Sequence, residues 1–98
     1  MDSILTHIGV GAENATSRAA LAVSLGVSDR KMRKLIEIER RNGALILNAQ
    51  NGAGYYLATI DDLDDIERQY KQDTARALSI LARRRTMRRI LKKAGRKV

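Results

Sequence analysis

Apolar residues recur at helical spacing over four stretches of this chain, separated by polar segments rich in glycine. In residues 17–25, Ala20, Leu21 and Leu25 share one side, the pattern of an amphipathic helix. In residues 28–42, Met32, Leu35 and Ile36 form a stripe that Val27 extends. Arg30, Arg33, Lys34, Glu37 and Arg41 recur on the other side at steps of three and four. Gly26-Val27-Ser28 between them reads as a three-residue turn. Gly26 accepts the left-handed conformation that ends a helix. Ser28 is suited to capping the next helix, and Val27 is placed to pack on Met32 as a hydrophobic staple. The next core position of the second helix holds Glu39. Either Ile38 takes over the packing through a rotated last turn, or Glu39 pairs with an arginine at the domain edge.

Gly43 ends that helix, and the period changes. Ala44-Leu45-Ile46-Leu47 suits a strand, and Gly54-Tyr55-Tyr56-Leu57 can pair back on it around Asn51-Gly52-Ala53-Gly54. Side chains alternate along a strand, so one of Tyr55 and Tyr56 is expected to face inward and the other outward. Upstream, Ile4, Leu5 and Ile8 predict a short helix capped by Asp2 or Ser3, followed by a loop over residues 9–14. Ala15-Thr16-Ser17 predicts a short extended segment, with Thr16 or Ser17 capping the helix that follows.

From residue 61 the helical pattern returns. Asp61 or Asp62 is the expected cap, with acids clustered at the positive end of the helix dipole and bases at its negative end. Leu63, Ile66, Tyr70, Ala77 and Leu81 form one stripe; Ile80, Met87, Leu91 and Ala94 form a second, slightly rotated. An unbroken helix over 61–94 would be about 50 Å long, more than the rest of so small a chain can cover. Residues 61–81 are expected to pack on the preceding domain or on a second copy. The remainder is expected to project into solvent, bind a partner or self-associate, with residues 96–98 frayed. The fold class is therefore mainly α with a small β-hairpin, a domain over 1–60 followed by a long C-terminal helix with a basic tail over 61–98.

Charge changes the picture. The 98 residues carry a net charge of +8, but it is unevenly placed. Residues 1–75 hold 9 Lys/Arg against 11 Asp/Glu, a net of −2, whereas residues 76–98 hold 10 Lys/Arg and no acid. Within the first part, residues 17–43 hold 7 bases and 3 acids, a net of +4. Two basic features of this kind suit a polyanion; the blander reading is a solvated helix that aids solubility. The chain has no cysteine, which excludes disulfides, zinc–cysteine sites and thiol catalysis. Its one histidine, His7, has no neighbouring partners for a triad or metal site and reads as a surface or packing residue. The aspartates at 61–65 are better explained as a helix start. No enzymatic activity, metal or cofactor is expected. No apolar run approaches a membrane span of about 20 residues, and the first residues lack the layout of a secretory leader. A cytoplasmic protein is expected.

The segment from Ser17 to Ile36, with its Leu25-Gly26-Val27-Ser28 turn, resembles the helix-turn-helix of winged-helix DNA-binding proteins. Gly43-Ala44-Leu45-Ile46 and Gly54-Tyr55-Tyr56-Leu57 resemble the wing of that family, where a glycine precedes each strand. The likeness covers roughly residues 3–60, and Glu39 departs from an apolar family position. With its basic C-terminal helix, the layout also resembles small winged-helix proteins of prophages and other mobile elements. The resemblance implies a winged helix-turn-helix in which residues 28–42 enter the major groove and the wing touches backbone or minor groove.

The side chains suit that role. Arg and Lys at the start of a groove-bound helix reach guanine edges or phosphates, which assigns Arg30, Arg33 and Lys34 as readers, with Arg41 further along. Ser28 and Asp29 lie at the helix start and are expected to contribute to DNA contact, Ser28 by offering its backbone N–H to phosphate. Arg18 opens the helix that crosses the DNA backbone. Glu37 can accept from cytosine or pair with Arg41, and the pair is favoured. The uncharged wing loop must act through amide side chains and backbone N–H groups, at Asn51 and Gly52. Arg83, Arg84, Arg85, Arg88, Arg89, Lys92 and Lys93 would form a phosphate-binding arm. The near-heptad stripe around Ile80, Met87, Leu91 and Ala94, interrupted by Arg84, offers a homodimer seam instead. Double-stranded DNA is the expected partner, for a regulator of transcription or of a mobile element. Alternatives are a protein-interaction module or RNA binding through the basic tail. Membrane-surface binding ranks lower, because the basic helix lacks an aromatic anchor.

Overall fold

The computed structural model describes residues 3–98. Among these, three α-helices and one two-stranded antiparallel hairpin form a mainly helical, open arrangement: α1 (Arg18–Leu25), α2 (Asp29–Arg41), β1 (Ile46–Asn48), β2 (Tyr55–Leu57) and α3 (Leu63–Lys93). Two short 3-10 turns, Ile4–His7 and Ala12–Asn14, precede α1. The chain divides into two compact units, Met1–Glu67 and Arg68–Val98.

In the first unit local chemistry sets each boundary. Ser17 caps α1 by accepting from Ala20 N, and Gly26 ends it in the left-handed region at φ 67°. Ser28 caps α2 by accepting from Lys31 N. The turn between them therefore forms as its residue types predict, and Val27 packs against the cluster that holds Met32. Ser3 caps the first 3-10 turn through Leu5 N; the alternative cap, Asp2, lies outside the described residues. The core joins Ile4, Ile8, Leu21, Met32, Ile36, Ile46 and Tyr55. Burial of each large side chain contributes about 1.5–3 kcal/mol.

The hairpin pairs Ile46 with Leu57, Leu47 with Tyr56 and Asn48 with Tyr55. Its outer edge is not left open. Thr16 exchanges two backbone hydrogen bonds with Tyr55 (2.8 and 2.9 Å), and the segment at Val10 bonds Leu57 through Gly9 O and Gly11 N. These bridges anchor the segments that lead into α1. They also explain Gly54, at φ 121°, where a Cβ would collide with the backbone of Thr16. The expected alternation of the tyrosines into one inward and one outward fails. Tyr55 and Tyr56 are both buried, as are Ile46 and Leu47. A strand residue faces solvent only where the second face of the sheet is uncovered, and here both faces are covered.

The end of α2 resolves differently from either expectation. Ile38 is 44% exposed, so it does not take over the core, and among the described residues Glu39 forms no ion pair. Glu39 and Arg40 are both half-buried, and it is the side chain of Arg40, four residues beyond Ile36, that the hairpin holds. Its Nε donates to Ile46 O and its Nη2 to Asn48 Oδ1, both at 2.9 Å. Its guanidinium lies 5.5 Å from the centroid of the Tyr55 ring. Arg40 thus ties α2 to the hairpin through charge-assisted bonds and a cation–π contact.

Helix α3 begins in the first unit and makes up the second from Arg68 to Lys93. The helix opens with Ile66 N donating to Asp62 O, while the Asp62 carboxylate reaches back to Thr59 N at 2.8 Å. It closes with Arg96 N bonded to Leu91 O, so the segment expected to fray is tied at its first residue. Gln69 is buried and donates to Asp73 Oδ1 at 2.9 Å. Every residue from 70 to 98 is exposed. Of the stripe expected to pack on the preceding domain or on a second copy, Leu63, Tyr70, Ala77 and Leu81 are exposed and Ile66 is half-buried.

Candidate functional site

The capped starts of α1 and α2 are brought together by one carboxylate. Asp29, the first residue of α2, accepts from Arg18 Nη2 at 2.8 Å and lies 3.0 Å from Arg33 Nε, one turn along its own helix. Arg18, the first residue of α1, is thereby linked across the turn to α2. The hydrogen bond to Asp29, reinforced by its charge, raises the Arg18 pKa above its ordinary value. All three side chains are about half exposed, so the cluster is a surface feature screened by water.

The outward face of α2 follows from its inward one. Met32 and Ile36 are buried. Arg30, Lys34, Glu37 and Arg41, at steps of four and three, run along the opposite side. Glu37 and Arg41 approach to 3.8 Å, the pair favoured from the sequence. Arg30 and Lys34 are exposed and, among the described residues, form no ion pair. The basic side chains of the two-helix unit thus sort into three kinds. Arg18, Arg33 and Arg41 are neutralised in part by a carboxylate. Arg40 points into the fold. Arg30, Lys31 and Lys34 carry uncompensated charge into solvent.

The hairpin loop is already hydrogen-bonded within itself. Gly52 N donates to Ala49 O at 3.2 Å, and Asn51 Oδ1 accepts from Ala53 N at 3.0 Å. The N–H that the sequence assigned to an anion at Gly52 is therefore engaged in the turn, and Asn51 retains only its amide N–H groups for an outside partner. Ser28 Oγ is likewise taken by Lys31 N, leaving its backbone N–H for the contact assigned to it. His7 Nδ1 lies 3.1 Å from Ser24 Oγ, which fits a packing role.

Arg83, Arg84, Arg85, Arg88, Arg89, Lys92 and Lys93 are all exposed on α3 and, among the described residues, form no ion pair. Arg85, Arg88, Arg89 and Lys92, at steps of three, one and three, share one face. Among the described residues no group of His, Cys, Asp or Glu is disposed to hold a metal ion, and no helix is long and apolar enough to cross a membrane.

Sequence reasoning missed Arg40. Its signal was the four-residue step from Met32 through Ile36 to position 40, hidden because an arginine does not read as core. Comparison with protein-family models, with curated proteins and with solved structures gives no match.

Proposed function

We propose that this chain is a winged helix-turn-helix protein that binds duplex DNA and carries out no chemistry. The observation that carries this reading is the outward face of α2. Its amino-terminal half presents Arg30 and Lys34 without a carboxylate partner among the described residues, opposite a well-buried Met32–Ile36 stripe. A helix that buries one side and offers free cations near its start is suited to the major groove, where its first residues reach base edges. Arg18 and Arg33, beside it, are suited to phosphates. On this reading the hairpin serves as the wing; it is tied to α2 by Arg40 and to the α1 lead-in by Thr16. Scarcity of aromatic side chains, three Tyr with no Phe or Trp, disfavours single-strand or RNA recognition by stacking.

The test is a duplex-DNA titration at several salt concentrations. Affinity should fall steeply with salt, and single-stranded competitor should displace the duplex poorly. The double substitution Arg30→Ala, Lys34→Ala should weaken binding by about 10-fold or more, with the thermal unfolding profile unchanged, since a good bidentate base contact alone is worth about 1–3 kcal/mol. Equal binding by parent and variant removes the assignment.

A further inference from the structure

Helix α3 spans 31 residues, and beyond the half-buried Ile66 its apolar stripe is uncovered, from 69% exposure at Tyr70 to 39% at Leu91. That stripe follows a strict alternation of three and four residues. Ile66, Asp73, Ile80 and Met87 occupy one set of heptad positions; Tyr70, Ala77, Arg84 and Leu91 occupy the other. This is the spacing of a two-helix seam. Only Asp73 and Arg84 break its apolar character, and they carry opposite charges.

We propose that α3 pairs with α3 of a second copy in antiparallel orientation, in the single register that sets Asp73 against Arg84 of the other copy. Three observations converge on it. In this register each layer joins one position of each set. Ile66 meets Leu91, Tyr70 meets Met87, and Ala77 meets Ile80, so the small residue lies beside a branched one. A slip of one heptad in either direction puts Asp73 and Arg84 against apolar partners, which strands a charge in each layer. A parallel pair would set Arg84 on Arg84 and Asp73 on Asp73, which like-charge repulsion opposes.

The charge of the whole element points the same way. Residues 61–73 hold six acids and two bases, a net of −4, while residues 83–98 hold nine bases and no acid. Antiparallel pairing lays the acidic end of each helix on the basic end of the other, and parallel pairing stacks basic on basic. Asp73 already accepts from Gln69 on its own helix, which fixes the carboxylate while leaving it exposed. The interrupting Arg84 thus becomes the residue that selects the register, a role in which buried polar groups are best attested.

Sedimentation of the full chain without nucleic acid tests this separately from DNA binding. The parent should sediment as a concentration-dependent dimer, weaker at high salt. Asp73→Arg and Arg84→Asp should each weaken dimerisation at least about 10-fold, and the combined variant should regain most of the loss. Because the chain has no cysteine, orientation can be read by oxidation. Tyr70→Cys mixed with Met87→Cys should give a covalent dimer, and neither should cross-link alone. Circular dichroism checks that each variant keeps its helix. A monomeric parent, a charge swap without recovery, or efficient self-linking of either single-cysteine chain would each overturn the proposal.

Discussion

At the scale of single residues, three positions, the Asp29 cluster, Arg40 and Gly54, carry consequences that exposure alone does not suggest. Asp29 draws Arg18 and Arg33 onto itself. On the proposed DNA reading it competes with phosphate for both, so Asp29→Asn should raise duplex affinity at low salt by about threefold or more, through removal of one negative charge and release of two cations. Unchanged or weaker binding in a titration would show that neither arginine faces the polyanion. Arg18 has a raised pKa, so its share of the pairing is fully present below its ordinary value and is lost only above it; the guanidinium stays charged throughout the physiological range. Arg40 acts on stability. Its three contacts to Ile46, Asn48 and Tyr55 predict that Arg40→Ala costs about 2–3 kcal/mol in urea unfolding. Arg40→Lys should recover only part of that, because one ammonium cannot reproduce the planar fork. Gly54 supplies the third case. Gly26→Ala meets open space and should cost about 1 kcal/mol for its left-handed backbone. Gly54→Ala should cost more, because the added carbon strikes Thr16 and breaks the bridge to Tyr55. Equal losses in unfolding experiments would contradict the close approach.

At the scale of elements, what was legible in the sequence was whatever local chemistry decides. The α1–turn–α2 boundaries followed from Ser17, Gly26 and Ser28, each of which acts on backbone groups within four residues of itself. The hairpin followed from its glycine-rich loop and β-compatible flanks. Tertiary choices were not legible. Periodicity put the next core position of α2 at Glu39 and offered either a takeover by Ile38 or an arginine pair for Glu39, because it ranks residues by polarity. The fold leaves Glu39 half-buried with no ion pair among the described residues and has the half-buried Arg40 donate to the hairpin's carbonyl and amide oxygens. Alternation predicted one exposed tyrosine, because it assumes a sheet with one wet face. The candidate site was legible as a set of bases and illegible as a set of partners. The i,i+4 step from Asp29 marks Arg33 as paired, but the reach of Arg18 across the turn to the same carboxylate is tertiary and leaves no local signal. The long helix was legible in length but not in burial, since an apolar stripe reads the same whether covered by its own chain or by another.

At the scale of the whole molecule, the basic end of α3 has two proposed roles to reconcile. Deleting residues 83–98 would remove the proposed phosphate contacts and the proposed helix pairing together, so truncation cannot separate them. The helix itself can. Heptad spacing puts Ile80, Arg84, Met87 and Leu91 on the seam, whereas Arg85, Arg89 and Lys92 lie away from it on the outer side. Replacing these three by Gln should leave the dimer intact in sedimentation and keep the helix, since Gln is nearly as good a helix former as Arg or Lys. On B-DNA each neutralised phosphate adds roughly −0.9 to the slope of log K against log salt. If all three bases reach phosphate, the slope should flatten by about 2.7, with little change in the preferred sequence, because phosphate contacts carry no direct base information. A smaller but definite flattening would count the contacts that exist. A slope identical to that of the parent would mean that the outer face of α3 never meets the duplex, leaving DNA contact to α1, α2 and the hairpin loop.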